Sequence, residues 1–473
     1  MNRKKATETA AAQPGRPRKT MVYPTVVLLA VSISCISCGG AKVQASSGVH
    51  RLTASIIPSG FEDSHDSYNA VSTASNGNIY YVLSSDKPDL AAQMFVYDPA
   101  MNKSRRVGDL NQASGEADLH AIAQGKSHVS FVEANGKLYF ATHIGFYTII
   151  KGMEKPGIPP KGMQPYPGGH FLSYDIASGK YENLATAPRH EGIIAFQMDT
   201  RRGRLYGLTW PTGRLLRYDL ADHKLKDIGA VSGEGEDGQG PTFRTICRSI
   251  TVDPNDGALY FSTSDGQIHR YLPDRDTVEA ITSDDLHKDY FGLYDTASSG
   301  SMAYNWRQTF WYEPEKSIYG VHGNSGYLFR FRREDGTVDV LDRITSADSK
   351  RSGMFDQFSY GYLGFALGPD QRTIYYLTGG PVYENGRRVK GKDSTAKGES
   401  KGRENLHLVT WDIPTRTYTD HGSIYFDSGQ RPNYVNSIAV GKDGSVYALS
   451  RISEDEHART ELIRVPPVAL VQK

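Results

Sequence analysis

Two of the chain's 14 histidines, His128 and His143, stand near the ends of one short stretch, QGKSHVSFVEANGKLYFATH (124–143). Asn135-Gly136 at its centre is the strongest two-residue hairpin signal, because both positions tolerate positive φ. With those two residues as the loop, Ala134 pairs with Lys137, and continuing in step residue 128 faces residue 143. Directly opposed residues have Cβ atoms about 4.5–5.5 Å apart. The two imidazoles are therefore expected to meet, where they could share a proton or a ligand. A one-residue slip would send them to opposite faces.

The hairpin belongs to a repeat. An aliphatic-Tyr pair follows a turn seven times, in NGNIYYVLS, NGKLYFATH, RGRLYGLTW, DGALYFSTS, EKSIYGVHG, QRTIYYLTG and DGSVYALSR. The tyrosines are Tyr80, Tyr139, Tyr206, Tyr260, Tyr319, Tyr375 and Tyr447, spaced by 59, 67, 54, 59, 56 and 72 residues. A short apolar run precedes each pair. A third run follows it (MFVYD, FLSYD, LLRYD, IHRYL, LFRF, LVTWD, ELIRV), and often a fourth. Four short antiparallel strands repeated seven times predict an all-β chain, a seven-bladed β-propeller; eight blades or a sandwich are the alternatives. The last unit lacks a fourth strand. HRLTASIIP (50–58), ahead of the first unit, is expected to supply it and close the ring, so removing a sheet edge. The repeated tyrosines read as structural, filling space between stacked blades.

This topology puts both histidines at the channel, on the face where long loops gather. Aligning the other units on the same turn brings Asn69, Ile194, Arg248, Gln308, Leu363 and Asn436 to positions equivalent to His128. Lys126, Arg244, Arg307, Tyr360, Tyr362, Asn433 and Tyr434 lie just outside them. Second-strand ends add His143, Trp210, His322 and Arg451. A water-filled channel needs only Ser and Thr; Arg, His and Tyr suit anions, metals or sugars. Long connections at 148–169, 283–306 and 379–405 open on the same face, and long loops over one rim usually build a site. The last of them carries seven Lys/Arg against four acidic residues.

The chain of 473 residues carries 54 Lys+Arg against 53 Asp+Glu, a balance that argues against coating nucleic acid. Residues 1–20 are basic, and an apolar run (22–37) follows that is short for a membrane span but suits an export signal. It ends in SISCISCGG, which resembles a bacterial lipoprotein signal, with Cys35 or Cys38 as the lipidated residue. The match departs from the usual pattern, with Ser32 and Cys35 where Leu is usual three residues earlier. The expected organisation is an export signal (1–38), a flexible tether (39–48) and the propeller (49–473). That places the protein in the periplasm or at the cell surface on a lipid anchor, or in the medium; plain secretion and an uncleaved anchor are the alternatives. Cys247 is the only other cysteine, which excludes a disulfide framework and a cysteine metal cluster within the propeller.

No nucleotide-binding glycine motif, zinc-protease motif or nucleophile elbow occurs in a suitable context. In architecture and residue types the constellation resembles the propeller-fold polysaccharide lyases, the oligogalacturonate lyases among them. No family signature aligns along the chain. The resemblance implies β-elimination on a uronate-containing glycan, in some members with a divalent metal. Such a reaction needs the carboxylate charge neutralised, a base for the α-proton and an acid for the leaving oxygen. Arg244, Arg248 and Arg307 are candidate neutralisers; His128, His143 or Lys126 is a candidate base; Tyr362 or Tyr434 is a candidate acid. Asn69, Gln308, Asn436, Arg451 and Trp306 are candidate substrate contacts. His128, His143 and His322 with Gln308 could instead hold Mn, Zn or Ca. A non-catalytic propeller that captures an anionic glycan or a protein is the competing reading, and a quinone-dependent dehydrogenase is the third.

Overall fold

The computed structural model describes residues 51–298, 302–352, 364–381, 383–384, 387–388, 404–454 and 457–470. The signal segment with Cys35 and Cys38, the tether, Tyr360, Tyr362, Leu363 and most of the basic 379–405 loop lie outside the described residues. Within the described residues no helix is long and apolar enough to cross a membrane.

The turn-punctuated apolar runs form short antiparallel strands. Five four-stranded sheets follow in chain order. The first is built from Val71–Thr73, Ile79–Leu83, Gln93–Asp98 and Lys103–Asp109. The second uses Val132–Ala134, Lys137–Ala141, His170–Asp175 and Tyr181–Thr186, and the third Gly192–Asp199, Arg204–Trp210, Arg214–Asp219 and Lys224–Ala230. Thr251–Val252, Leu259–Ser262, Ile268–Leu272 and Thr277–Ala280 make the fourth. Trp306–Tyr312, Ser317–His322, Tyr327–Arg332 and Thr337–Arg343 make the fifth. Eight of the remaining strands join into one sheet that contains two further four-strand runs, and the other four form two small hairpins, Tyr147–Ile150 with Met153–Pro156 and Tyr383–Glu384 with Arg387–Arg388. This is an all-β architecture of the propeller type.

The N-terminal strand Arg51–Ile57 closes the arrangement. Ser55–Ile57 pairs antiparallel with Arg464–Leu462 of the last run, as the missing fourth strand requires. The first half of the same strand does something the repeat did not announce. Arg51–Ala54 pairs in parallel with Ser423–Phe426 of the preceding run, which fuses the two. Both neighbouring strands are long, 10 residues in Thr417–Phe426 and 9 in His457–Val465, and each offers an open backbone edge that one strand satisfies on two sides.

Second strands are buried on both faces, as in Ile79–Leu83, because each sheet is sandwiched between neighbours. The repeated tyrosine makes that contact. Tyr80 packs on Tyr174 of the next sheet's third strand, Tyr206 on Tyr271, Tyr260 on Phe331 and Tyr319 on Trp411, with ring centroids 5.6–6.4 Å apart. Tyr447 of the last run meets Tyr97 of the first sheet at 5.9 Å, so one rule of packing spans the junction of the chain's two ends.

Candidate functional site

The opening hairpin forms with Asn135 and Gly136 at φ +50° and +74°, the left-handed pair that a two-residue turn demands. Val132, Glu133 and Ala134 pair with Tyr139, Leu138 and Lys137, in the register read from the sequence. Beyond Val132 the register changes. His143 pairs with Lys126, not with His128: Lys126 N–H donates to the His143 carbonyl at 2.9 Å, and His143 N–H donates back at 2.7 Å. Two extra residues enter the inner strand, and His128 stands in the resulting bulge. The cause lies in backbone contact. A Cβ on Gly145 would sit 2.0 Å from the Ser85 carbonyl, and one on Gly125 would lie 2.7 Å from Gly145 Cα. Three main chains converge where only glycine fits, and this pins Lys126 opposite His143.

The two imidazoles nevertheless meet, edge to face, with centroids 4.6 Å apart. The bulge supplies what the simple ladder would have given. Comparable shifts occur at the same end of other inner strands, at His65–Ser84, Asn433–Arg451, Gly192–Trp210 and Trp306–His322. The irregularity thus recurs at the start of the inner strand from sheet to sheet.

Around the pair lies an aromatic and cationic wall. Tyr68 stacks on His128 at 4.1 Å and shares a hydrogen bond between hydroxyls with Tyr434 at 3.1 Å. His143 contacts Trp210 at 5.5 Å, and Tyr147 lies against Trp210 at 5.4 Å. Lys126 is buried, its Nζ 4.6 Å from the Tyr147 ring and 5.3 Å from that of Tyr68. The Arg451 guanidinium covers Tyr434 at 4.6 Å, and its Nε donates to Asp66 at 2.8 Å. Arg248 is paired with Glu236 at 2.6 Å, and the same carboxylate accepts from the Trp210 indole at 3.0 Å. Gln308 donates to Asn69 at 2.8 Å, joining the fifth sheet to the first across the channel. Asn436 is buried, and neither polar atom of its side chain has a partner among the described residues; the same holds for His128 Nε2.

Burial holds the pKa values of His128 and His143 well below the ordinary histidine value. For His128 the next causes are His143, Lys126, Arg248 and Arg307, and for His143 they are Lys126 and Arg248. Both rings are thus neutral at pH 7 and sit in a positive field. Burial also pushes the Tyr68 and Tyr147 hydroxyls up, so both remain protonated. His128 keeps some accessible surface while being deeply surrounded, as a side chain in the wall of a narrow channel should.

Other candidates fall elsewhere. His322 is buried against Phe291, Tyr294 and Tyr304, with Nδ1 2.7 Å from the Ser325 hydroxyl, in a cluster of its own. Among the described residues no three His, Cys, Asp or Glu side chains gather as a metal set. His143 Nδ1 is also turned against Gly192. Of the proposed metal set, His128 and His143 stand together, whereas His322 packs in a different ring cluster and Gln308 is bonded to Asn69. Trp306 is fully buried and donates its indole N–H to the Ser249 carbonyl at 2.8 Å, which leaves no face for a sugar. Arg244 donates to the Pro241 and Phe243 carbonyls, both at 2.7 Å. Arg307 is buried, with Nη1 4.0 Å from Met302 Sδ, and its charge reaches His128.

Sequence reasoning missed Tyr68, Tyr147, Asp66 and Glu236 as parts of the wall. Tyr68 and Asp66 stand one and three residues before the aligned Asn69, and Tyr147 just before the loop at 148–169. Glu236 lies in a connection between sheets for which the repeat gave no alignment.

No protein-family model matches the chain, and no curated protein does. Among solved structures, a chain of a mitotic checkpoint complex aligns over 93% of this chain and 99% of its own length, at 10% identity and a TM-score of 0.47. The extracellular domain of a putative one-component system from B. thetaiotaomicron aligns over 87% of this chain and 40% of that one, at 14% identity and a TM-score of 0.45. A structural-genomics protein of unknown function from Bacteroides thetaiotaomicron VPI-5482 aligns over 83% and 91%, at 13% identity and a TM-score of 0.40. What defines the protein is its own geometry: a β-propeller-type fold with an aromatic wall around His128, His143 and Lys126.

Proposed function

We propose that this protein is an exported β-propeller, tethered by lipid at Cys35 or Cys38, that binds a carboxylate-bearing glycan at the channel mouth. The observation that carries the reading is the setting of Lys126. An ammonium group is held in a buried wall between two tyrosine faces, beside a pair of neutral imidazoles, with the charges of Arg248 and Arg307 reaching the same point. An anion entering there gains from the field, and Tyr68, Tyr147 and Trp210 offer apolar and aromatic surface for a sugar ring.

The neutral His128–His143 pair is open to proton transfer as well as to capture. In β-elimination the cations neutralise the uronate carboxylate, which acidifies the adjacent C5–H. A neutral imidazole takes that proton as the C4–C5 double bond forms and the C4–O bond breaks. The hydroxyl of Tyr434, bonded to that of Tyr68, is the candidate to return a proton to the leaving oxygen.

Uronate oligosaccharides added to the full-length protein test this directly. Calorimetric binding that weakens with salt and disappears in His128→Ala supports the site. New ultraviolet absorbance from unsaturated uronate supports elimination, whereas binding without it supports a capture module. Absence of binding across polygalacturonate, alginate and glucuronan fragments refutes both.

A further inference from the structure

A cavity of about 480 Å³, with neither histidine of the His128–His143 pair in its lining, is walled by Asp265, His287, Leu293, Tyr294, Asp295, Thr296 and Tyr304. Three segments meet to build it: the Asp265-Gly266 turn of the fourth sheet, Leu286-His287 and Tyr304. Leu286 N–H donates to the Gly266 carbonyl at 2.8 Å, and Tyr304 N–H to the Ser264 carbonyl at 3.0 Å. Gly266, at φ +92°, lets them close; a Cβ there would lie 2.8 Å from His287 N and 3.1 Å from Tyr304 Cβ. Main-chain hydrogen bonds between segments thus hold the Asp265, His287 and Tyr304 side of the cavity, and Leu293–Thr296 line the rest.

We infer that this cavity is a second carbohydrate site, and that it takes a neutral pyranose, chemically opposite to the channel mouth. No lysine or arginine lines it, while two carboxylates do, so an anionic sugar is disfavoured. One oxygen of each carboxylate is engaged locally: Asp295 Oδ1 accepts from Ala297 N–H at 2.9 Å, and Asp265 Oδ1 from the Thr263 hydroxyl. The other oxygen of each has no protein donor among the described residues and can accept from sugar hydroxyls. The apolar surface suits the C–H face of a ring. Leu293 is 85% exposed, an unusual setting for a leucine on a cavity wall. His287 is exposed and backed by Tyr304 at 4.1 Å, which makes it a buttressed platform. A cation is the poorer occupant, since the Tyr304 face it would need is covered by His287 and Tyr294 packs edge-on to the same ring at 5.4 Å. A cavity of this volume falls in the usual range for small-molecule sites.

Saturation-transfer NMR on the full-length protein tests the inference with methyl β-D-glucopyranoside, methyl β-D-galactopyranoside and methyl α-D-mannopyranoside. Methyl β-D-glucuronide and tetramethylammonium serve as charged controls. At least one neutral glycoside should show transfer. Its affinity should fall about tenfold or more in His287→Ala and in Leu293→Asp and stay unchanged in His128→Ala. Both altered residues are exposed, so folding is not at stake. No transfer to any neutral glycoside, transfer that survives both variants, loss in His128→Ala, or transfer to tetramethylammonium alone would each overturn it. Uronate binding measured in the same variants separates failure here from failure at the channel mouth.

Discussion

Gly192 stands directly behind His143, and Gly192→Ala is the least invasive way to move the imidazole. The added Cβ would lie 2.1 Å from His143 Nδ1, 2.8 Å from Cε1 and 2.9 Å from Cγ. Ordinary contact begins near 3.4 Å, so the ring must retreat by about 1.3 Å. Its path is obstructed by His128 at 4.6 Å and Trp210 at 5.5 Å. Overpacking of this kind costs about 1–3 kcal/mol. Replacing a glycine by alanine returns about 0.4–1 kcal/mol through the unfolded state, so the net loss of stability is about 0–2.6 kcal/mol. The functional loss is larger, because a positioned group displaced by about 1 Å can cost on the order of a hundredfold in rate. Thermal unfolding and titration with a uronate oligosaccharide measure the two effects separately. The expected result is a folded protein with at least about tenfold weaker binding. Affinity within about twofold of the parent protein would show that the position of His143 does not matter, and the proposed site would fall.

Three further outcomes follow from the geometry. His128→Ala and His143→Ala should each remove most binding or turnover, and the double change should cost little more, because groups acting as a unit are not additive; full additivity in a double-mutant cycle contradicts the shared role. Deleting residues 51–57 strips one strand from between two runs and should lower the melting temperature of the whole domain and promote association through the freed edges; an unchanged melting temperature and a monomeric profile rule this out. His322 is held at about 3 by burial, against 6.5 for an ordinary histidine. The unfolded chain therefore binds more protons below pH 6.5, so stability is fully present above that value and is lost as pH falls toward 3. His322→Gln should lower proton uptake on unfolding at pH 5 by about one, and unchanged uptake would count against a buried neutral imidazole.

The repeat was legible because one packing demand recurs. A tyrosine after a turn recurs where a second strand meets the next sheet, and five of the seven, Tyr80, Tyr206, Tyr260, Tyr319 and Tyr447, meet an aromatic partner there. The closing strand was legible because the last unit was one strand short. Its parallel pairing with Ser423–Phe426 was not, since no local pattern distinguishes an edge that stays open from one that is covered. The meeting of His128 and His143 was anticipated through the wrong register. Asn135-Gly136 fixes the turn end, but the other end answers to Gly125, Gly145 and Ser85, a contact between segments that a hairpin rule does not contain. For the same reason His322, aligned with the rim as a second-strand end, and Trp306, read as a sugar contact, are packed among neighbours. Tyr68 and Glu236 escaped notice because bulges and connections between sheets, which carry no period, place them.

A crystal structure of the protein with a uronate oligosaccharide tests the central claim most directly. A carboxylate should lie within hydrogen-bonding reach of Lys126, Arg248 or Arg307, about 2.7–3.2 Å away, with a sugar ring beside the His128–His143 pair. Uronate density confined to another face, or to the cavity at His287 and Leu293, would contradict the assignment of the channel mouth as an anion site.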